Sequence, residues 1–370
     1  MKDSFEVYIH SPWCKRRCPY CDFNVYIEKS PPFERWKEQI LKNWEWNKEH
    51  FTGAVNTIYF GGGTPSLLPA SVLSEIIQII EPKAQEITIE INPGTIQTSQ
   101  LDTYLSIGIN RLSLGIQSFQ PRFEKLLGRG GTIQQARELI TTVQRLPFQS
   151  WSLDLMFGLP DQTKKDLLAD LQEIIQIRPP HISLYGLMYK PNTPFYKALE
   201  NGKIRAIDDD LWEEMFETIV KTLFAQGYHR YEVSNFCLPE HPARHNEAIW
   251  MGKPYMGLGP SAHGLFPNGE RTVYPNVWEE WLENTAPVCE KSTPEQRAID
   301  LILTKIRHHA GFSIQELQER GFDLETNTIE YLSKTNTISY NNGNIRLSSK
   351  GWILVDFITS RLIQALITKG

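Results

Sequence analysis

Three cysteines fall close together in the run Cys14-Lys15-Arg16-Arg17-Cys18-Pro19-Tyr20-Cys21. Three thiols on one short loop can converge on a single iron-sulfur cluster of the [4Fe-4S] type, and three ligands for four irons leave one iron open to a small molecule that can accept an electron there. Zinc would want a fourth nearby Cys or His to close its tetrahedron. None follows promptly, because Cys237 and Cys289 are remote and His10 precedes Cys14 on the strand side. Five cysteines are an odd count and poor disulfide arithmetic, which fits a reducing compartment.

The second signal is Gly61-Gly62-Gly63-Thr64-Pro65, placed after an apolar run and before a helical one. Residues without side chains let the backbone approach a ligand closely. Alone this is only a turn. Following the cysteine loop by one strand-helix unit, it becomes a cradle for the methionine end of S-adenosylmethionine (SAM), which fills the open iron position in radical enzymes. Glu90 and Asp154 are carboxylates inside runs that read as buried, Ile-Thr-Ile-Glu-Ile and Trp-Ser-Leu-Asp-Leu-Met, so each needs a partner. Two readings fit: hydrogen bonding to a ligand, or an internal ion pair with Arg111 or Arg129.

The elements that must hold these groups are legible as alternating β-rich and helical stretches. Strands are expected at 5–10, 55–60, 86–91, 111–116, 151–156 and 181–187. Between them, apolar residues recur every three or four positions, as in Leu73, Ile76, Ile77 and Ile80, or Leu167, Leu168, Leu171, Ile174 and Ile175. Parallel strands with crossover helices follow, and six of them make an incomplete α/β barrel. In such barrels the working residues come from the carboxyl ends of the strands. Cys14, the glycine run, Glu90, Gln117 and Asp154 all fall at or near those ends.

Residues 191–285 read as an extension with one clear helix at 209–226. Residues 293–370 read as a separate α+β module of winged-helix type, with a short helix at 313–320 and a hairpin at 338–347 around Asn341, Asn342 and Gly343. Its 9 Lys plus Arg against 8 Asp plus Glu favour packing or partner docking over DNA. His308 and His309 are expected on the solvated face of a helix there.

Across the 370 residues, a net charge of -5 gives no basic footprint for nucleic acid, and 41% hydrophobic content leaves little room for disorder. No run has the length of a signal peptide or a membrane span, which places the protein in the cytoplasm.

Several motifs carry a resemblance: Tyr-Ile-His-Ser-Pro-Trp-Cys with its three-then-two cysteine spacing, Gly-Gly-Gly-Thr-Pro-Ser, Gly-Ile-Gln-Ser-Phe and Asp-Leu-Met-Phe-Gly-Leu-Pro. Together they resemble the coproporphyrinogen dehydrogenase-like branch of radical SAM proteins, over most of the chain. That likeness implies a radical SAM partial (β/α)6 barrel within 1–285 and a small C-terminal winged-helix-like domain at 293–370. Cys14, Cys18 and Cys21 would ligate the cluster, with Tyr8 and Tyr20 beside the cluster and SAM. Gly62, Gly63 and Thr64 would contact SAM, and Glu90, Gln117, Arg129 and Asp154 would complete its pocket.

Within the branch, the chain resembles the heme chaperone HemW family more than the oxygen-independent coproporphyrinogen III dehydrogenase. The dehydrogenase has a further cysteine where this chain has Phe23, and a long N-terminal extension where this chain opens on the cluster motif. Arg244-His245-Asn246-Glu247-Ala248-Ile249-Trp250 resembles the chaperones' His-Asn-x-x-Tyr-Trp motif, with Ile249 in the tyrosine position. The likeness implies heme as a third bound group, with His245 at its site, and heme-accepting proteins such as respiratory enzymes as partners. It leaves room for peripheral membrane contact and for a homodimer. Cys237 and His263 are further residues that could border the heme, and the alternative function is the decarboxylating dehydrogenase itself.

Overall fold

The computed structural model describes residues 4–369. Six strands, β1 (Ser4–Ser11), β2 (Ala54–Gly62), β3 (Glu86–Ile91), β4 (Arg111–Gln117), β5 (Ser150–Phe157) and β6 (His181–Gly186), run parallel and pair in sequential order. The connections carry helices α1 (Phe33–Asn47), α2 (Ala70–Ile80), α3 (Gln100–Ser106), α4 (Pro121–Leu127), α5 (Ile133–Val143) and α6 (Lys164–Ile177). Thr132 and Thr163 start α5 and α6 as capping boxes, each hydroxyl accepting from the amide three residues on.

Side chains alternate along the six strands, and the alternation divides core from lumen. One face carries Val7, Ile9, Ile58, Phe60, Ile87, Ile89, Leu112, Leu114, Leu153, Leu155 and Ile182, all at 1% exposure or less. These pack on the apolar stripes of the helices, such as Val72, Leu73, Ile76, Ile77 and Ile80 of α2. Each such side chain contributes about 1.5–3 kcal/mol on burial. The other face carries Glu6, Tyr8, His10, Thr57, Tyr59, Thr88, Glu90, Arg111, Ser113, Ser152, Asp154, His181, Ser183 and Tyr185. Register aligns these polar positions across strands: Tyr8 with Tyr59, Glu90 with Ser113, and Asp154 with Ser183. The barrel therefore has an apolar wall and a polar lumen.

The extension is more ordered than the sequence reading, which had only one helix there. After α7 (Pro194–Glu200) and α8 (Asp209–Ala225), β8 (Asn235–Cys237) adds antiparallel to β6, and β7 (His229–Arg230) adds antiparallel to β8 at the edge. Helix α9 (Arg244–Trp250) follows, and β9 (Tyr255–Leu258) then joins β1 in parallel on the far side. Strands β10 (His263–Leu265), β11 (Arg271–Val273) and β12 (Val288–Glu290) complete a 12-stranded sheet, with α10 (Trp278–Glu283) between the last two. Short strands with few apolar positions carry too little periodicity to be seen from sequence.

A second apolar core gathers Leu301, Ile302, Phe312, Leu317, Leu332, Ile345, Ile358 and Leu362. It is built by α11 (Pro294–Lys305), β13 (Phe312–Ser313), α12 (Ile314–Gln318), β14 (Phe322–Leu324), α13 (Thr326–Lys334), β15 (Ile338–Asn341), β16 (Asn344–Leu347), α14 (Val355–Gln364) and β17 (Leu366–Thr368). The expected hairpin is present. Asn342 and Gly343 adopt φ of 50° and 77°, the left-handed pair that a two-residue turn requires.

Candidate cluster and ligand site

At the carboxyl ends of the barrel strands a cavity of about 410 Å3 is lined by Cys14, Cys18 and Cys21 together with Tyr20, Gly62, Gly63, Thr64, Glu90, Gln117, Arg129 and Asp154. Eleven of the thirteen residues singled out from sequence thus share one mouth. The cysteine loop is held shut at its base, where Cys14 N–H donates to Tyr26 O (3.0 Å) and Tyr26 N–H to Pro12 O (2.7 Å). Within it, Cys21 N–H donates to Cys18 O at 3.1 Å, which keeps those two cysteines on one turn. Thr64 Oγ1 lies 3.4 Å from Cys14 Sγ, joining the cysteine loop to the glycine loop. Burial raises the Cys14 and Cys21 thiols above their ordinary value, a cost that a bound iron removes by taking the thiolate.

The glycines are needed for close approach of the chain to itself as well as to a ligand. A Cβ on Gly63 would stand 2.7 Å from Trp13 O and 2.9 Å from Ser11 O, and Gly62 sits at φ 109° with the His10 ring 2.5 Å from any added Cβ. Removing side chains here lets the glycine loop nest under the cysteine loop.

Neither carboxylate forms the internal ion pair that sequence left open. Glu90 accepts from Tyr59 Oη at 2.9 Å and from Gly62 N at 3.2 Å. Asp154 accepts from Ser113 at 2.6 Å and Ser152 at 3.1 Å. Arg111 pairs instead with Glu86 at 3.8 Å, deep in the lumen. Arg129 donates to Tyr20 Oη at 2.8 Å and to Asn92. Burial pushes Glu90 up to about 7, against the hydrogen bond from Tyr59, and raises Asp154 as well. Two buried carboxylates without a cation suit a ligand that brings positive charge or hydroxyls. Gln117 reaches the cavity from a left-handed turn, φ 71°, at the register shift that ends β4.

Asn92, Tyr59, Ser113 and Tyr185 also line the cavity and were not singled out from sequence. Their signal was the period-two placement of polar residues in Thr-Ile-Tyr, Arg-Leu-Ser and Ser-Leu-Tyr. Tyr8 stands behind the cavity wall, its hydroxyl 3.1 Å from His10 Nδ1.

The radical SAM superfamily model matches residues 8–174. The heme chaperone HemW of Haemophilus influenzae is 32% identical over 382 residues, covering 98% of both chains, and that of Escherichia coli is 38% identical over 272 residues, covering 71% of each. The chain belongs to the heme chaperone HemW family. Among solved structures, E. coli coproporphyrinogen III oxidase (HemN) superposes with a TM-score of 0.81 over 98% of this chain and 90% of its own, at 18% identity, which speaks for the shared fold. Membership of the radical SAM superfamily implies a [4Fe-4S] cluster and SAM, and the donor set here fits both: three thiols, a glycine cradle and unpaired buried carboxylates in one cavity. Among the described residues no helix is long and apolar enough to cross a membrane.

The stretch resembling the HemW family's His-Asn-x-x-Tyr-Trp motif is α9, and it lies at the opposite end of the lumen from the cavity. Glu86, at the start of β3, accepts from the Arg244 and His245 amides, both at 3.1 Å. Thr57 Oγ1 donates to Glu6 and lies 2.7 Å from His245 Nδ1, so Nδ1 carries the proton and Nε2 keeps its lone pair. The ring stacks on Tyr59 at 5.0 Å and 27°. His245 is 2% exposed and burial holds it down to about 3, so it is neutral at any ordinary pH. The imidazole thus packs in the barrel floor, outside the cavity lining, with Nε2 free of any hydrogen-bond partner among the described residues.

The other candidates also separate. Cys237 is buried in β8 with its thiol pushed up to about 12, and His263 is exposed on β10, away from the cavity lining. His308 is not on a solvated helical face. It follows α11, is 3% exposed, and faces Glu247 of α9 at 3.7 Å, with His309 N–H donating to Tyr231 O at 2.8 Å. These contacts tie the second core to the motif helix.

Proposed function

We propose that the protein is a heme chaperone that holds a [4Fe-4S] cluster with SAM and delivers heme to acceptor proteins such as respiratory enzymes, working in the cytoplasm. The observation that carries the reading is the match to HemW of Haemophilus influenzae across 98% of both chains, joined to a cavity that gathers the cluster and SAM residues in one place. On this reading Cys14, Cys18 and Cys21 hold three irons. Gly62, Gly63 and Thr64 take the methionine end of SAM through backbone and hydroxyl groups, Glu90 and Asp154 receive its ammonium and ribose hydroxyls, and Arg129 and Gln117 close the pocket. Tyr20, held by Arg129, would lie beside the cluster and SAM. When bound, the cluster supplies an electron and a Lewis-acidic iron to which SAM chelates. Residues 1–285 form the barrel with its extension, and 293–370 form a winged-helix-like module whose seam on α9 passes through His308 and Glu247.

The test separates chaperone from enzyme. Cluster-reconstituted protein is given hemin in one anaerobic cell, and coproporphyrinogen III, SAM and a reductant in another. A Soret band in the first with no protoporphyrinogen in the second is expected. Stoichiometric decarboxylation in the second cell would make the protein a dehydrogenase and end the chaperone reading.

A further inference from the structure

Four successive loops at the mouth of the barrel are joined by one chain of polar side chains that ends on a cluster cysteine. Cys14 follows β1, Thr64 follows β2, Asn92 follows β3, and Arg129 lies just beyond α4, the helix after β4. Arg129 Nη2 donates to Asn92 Oδ1, Asn92 Nδ2 donates to Thr64 Oγ1 at 3.1 Å, and Thr64 Oγ1 lies 3.4 Å from Cys14 Sγ.

The chemistry of the groups fixes the direction of this chain. A guanidinium only donates and keeps its charge at every ordinary pH. An amide oxygen only accepts, so Asn92 gives Oδ1 to Arg129 and must turn its NH2 toward Thr64. That NH2 only donates, so the Thr64 oxygen accepts there and its single proton is left for the Cys14 sulfur. Thr64 is 3% exposed, and solvent does not compete for that proton.

The surrounding chain makes room for the arrangement and holds it. A Cβ on Gly115 would stand 2.6 Å from Asn92 Oδ1 and 2.8 Å from Arg129 Nη2, so the glycine in β4 is what lets those two groups meet. Arg129 is fixed from its other side by Tyr20 Oη, which accepts from Nη1 at 2.8 Å. The Asn92 carbonyl accepts from Thr95 Oγ1 at 2.6 Å, which anchors the residue at the strand end. A hydrogen bond donated to a cluster thiolate favours the more negative, reduced state of the cluster and so raises its reduction potential.

We propose that Asn92 is a positioning residue that, backed by Arg129, aims the Thr64 proton at Cys14 and thereby raises the reduction potential of the cluster. This rests on the cluster ligation of the proposed function. It gives the threonine that ends the glycine run a task on the thiolate besides its contact with SAM.

The test is an anaerobic redox titration of cluster-reconstituted protein without SAM, followed by the cluster absorbance and by the electron paramagnetic resonance of the reduced state. Thr64→Val, which keeps the shape and removes the proton, should shift the midpoint to a more negative potential, and Thr64→Ser should restore it. Asn92→Asp presents an acceptor to Thr64 and turns its proton away from the sulfur, so it too should shift the midpoint down. Its added charge acts with or without the hydroxyl, so the shift should be smaller in the Thr64→Val background, and that non-additivity marks the relay. Should Thr64→Val fail to load iron, Asn92→Asp alone carries the test, and an unshifted midpoint overturns the proposal. Equal midpoints for wild type and Thr64→Val, an upward shift, or strictly additive shifts overturn the relay while a loaded cluster leaves the ligation intact. Wild type that takes up no cluster overturns both.

Discussion

The burial of His245 sets a measurable acid sensitivity. In the unfolded chain the imidazole takes a proton near pH 6.5, whereas in the fold burial holds it to about 3. Between those values the unfolded state binds more protons, so stability attributable to this residue falls as pH drops from 6.5 toward 3. At pH 5 the unfolded state has gained 1.5 pH units of protonation that the fold refuses, which is about 2 kcal/mol at 1.36 kcal/mol per unit. At pH 7 the same term is close to zero. His245→Gln, which cannot take the proton, removes it. Of the ten tryptophans only Trp352 lies beyond residue 293, so tryptophan fluorescence in urea reports the barrel. Wild type should lose about 2 kcal/mol more than the variant between pH 7 and pH 5. Equal losses, within ~0.5 kcal/mol, would mean that folded His245 takes up a proton and reaches water, and its assignment as a sealed packing residue would fail.

Three further outcomes follow from the same geometry. Gly63→Ala drives a methyl into Trp13 O and Ser11 O, an overpacking of about 1–3 kcal/mol that moves the cysteine loop; reconstituted iron content and 400 nm absorbance should fall, and full loading would refute it. Glu90, pushed up to about 7 by burial, is protonated as pH falls through that value, so SAM affinity should drop by up to about tenfold per unit below it. Equilibrium binding should show Glu90→Gln with a flat profile, and a flat wild-type profile would exclude Glu90 as the ammonium partner. The His308 imidazole facing it at 3.7 Å lowers Glu247 below the usual carboxylate value, so its stabilisation is present above about pH 4.5 and lost as pH falls through the folded value. With the carboxylate more than a third exposed, Glu247→Gln should cost under about 1 kcal/mol at pH 7 and less at pH 3.5. Hydrogen exchange across α9 and α11 would show it, and an effect larger in acid would reverse the argument.

Chemistry confined to one loop was readable directly. The cysteine spacing and the glycine run need only local chain geometry, and the strands at 86–91 and 181–187 appear as β3 and β6 within a residue, because alternation is a property of neighbouring positions. The Asn342-Gly343 turn was readable for the same reason. Alternation even encodes the polar lumen, once Thr57, Tyr59, Glu90, Ser113, Asp154 and Ser183 are seen as one inward set.

What the sequence could not decide is which inward groups meet. Register alone pairs Asp154 with serines and gives Arg111 to Glu86, so both of the ion pairs open from sequence were displaced by contacts between residues dozens of positions apart. The HemW-like motif shows the limit most sharply. His245 and Glu247 are two residues apart, yet a short helix turns the first into the barrel floor against Thr57 and the second outward to His308. Residue type and spacing determined that three cysteines, a glycine run and two inward carboxylates share the mouth of this barrel; only the packing of α9 against β1, β2 and β3 decided that the motif histidine is buried outside that lining, because burial is set by what the rest of the chain lays over a residue.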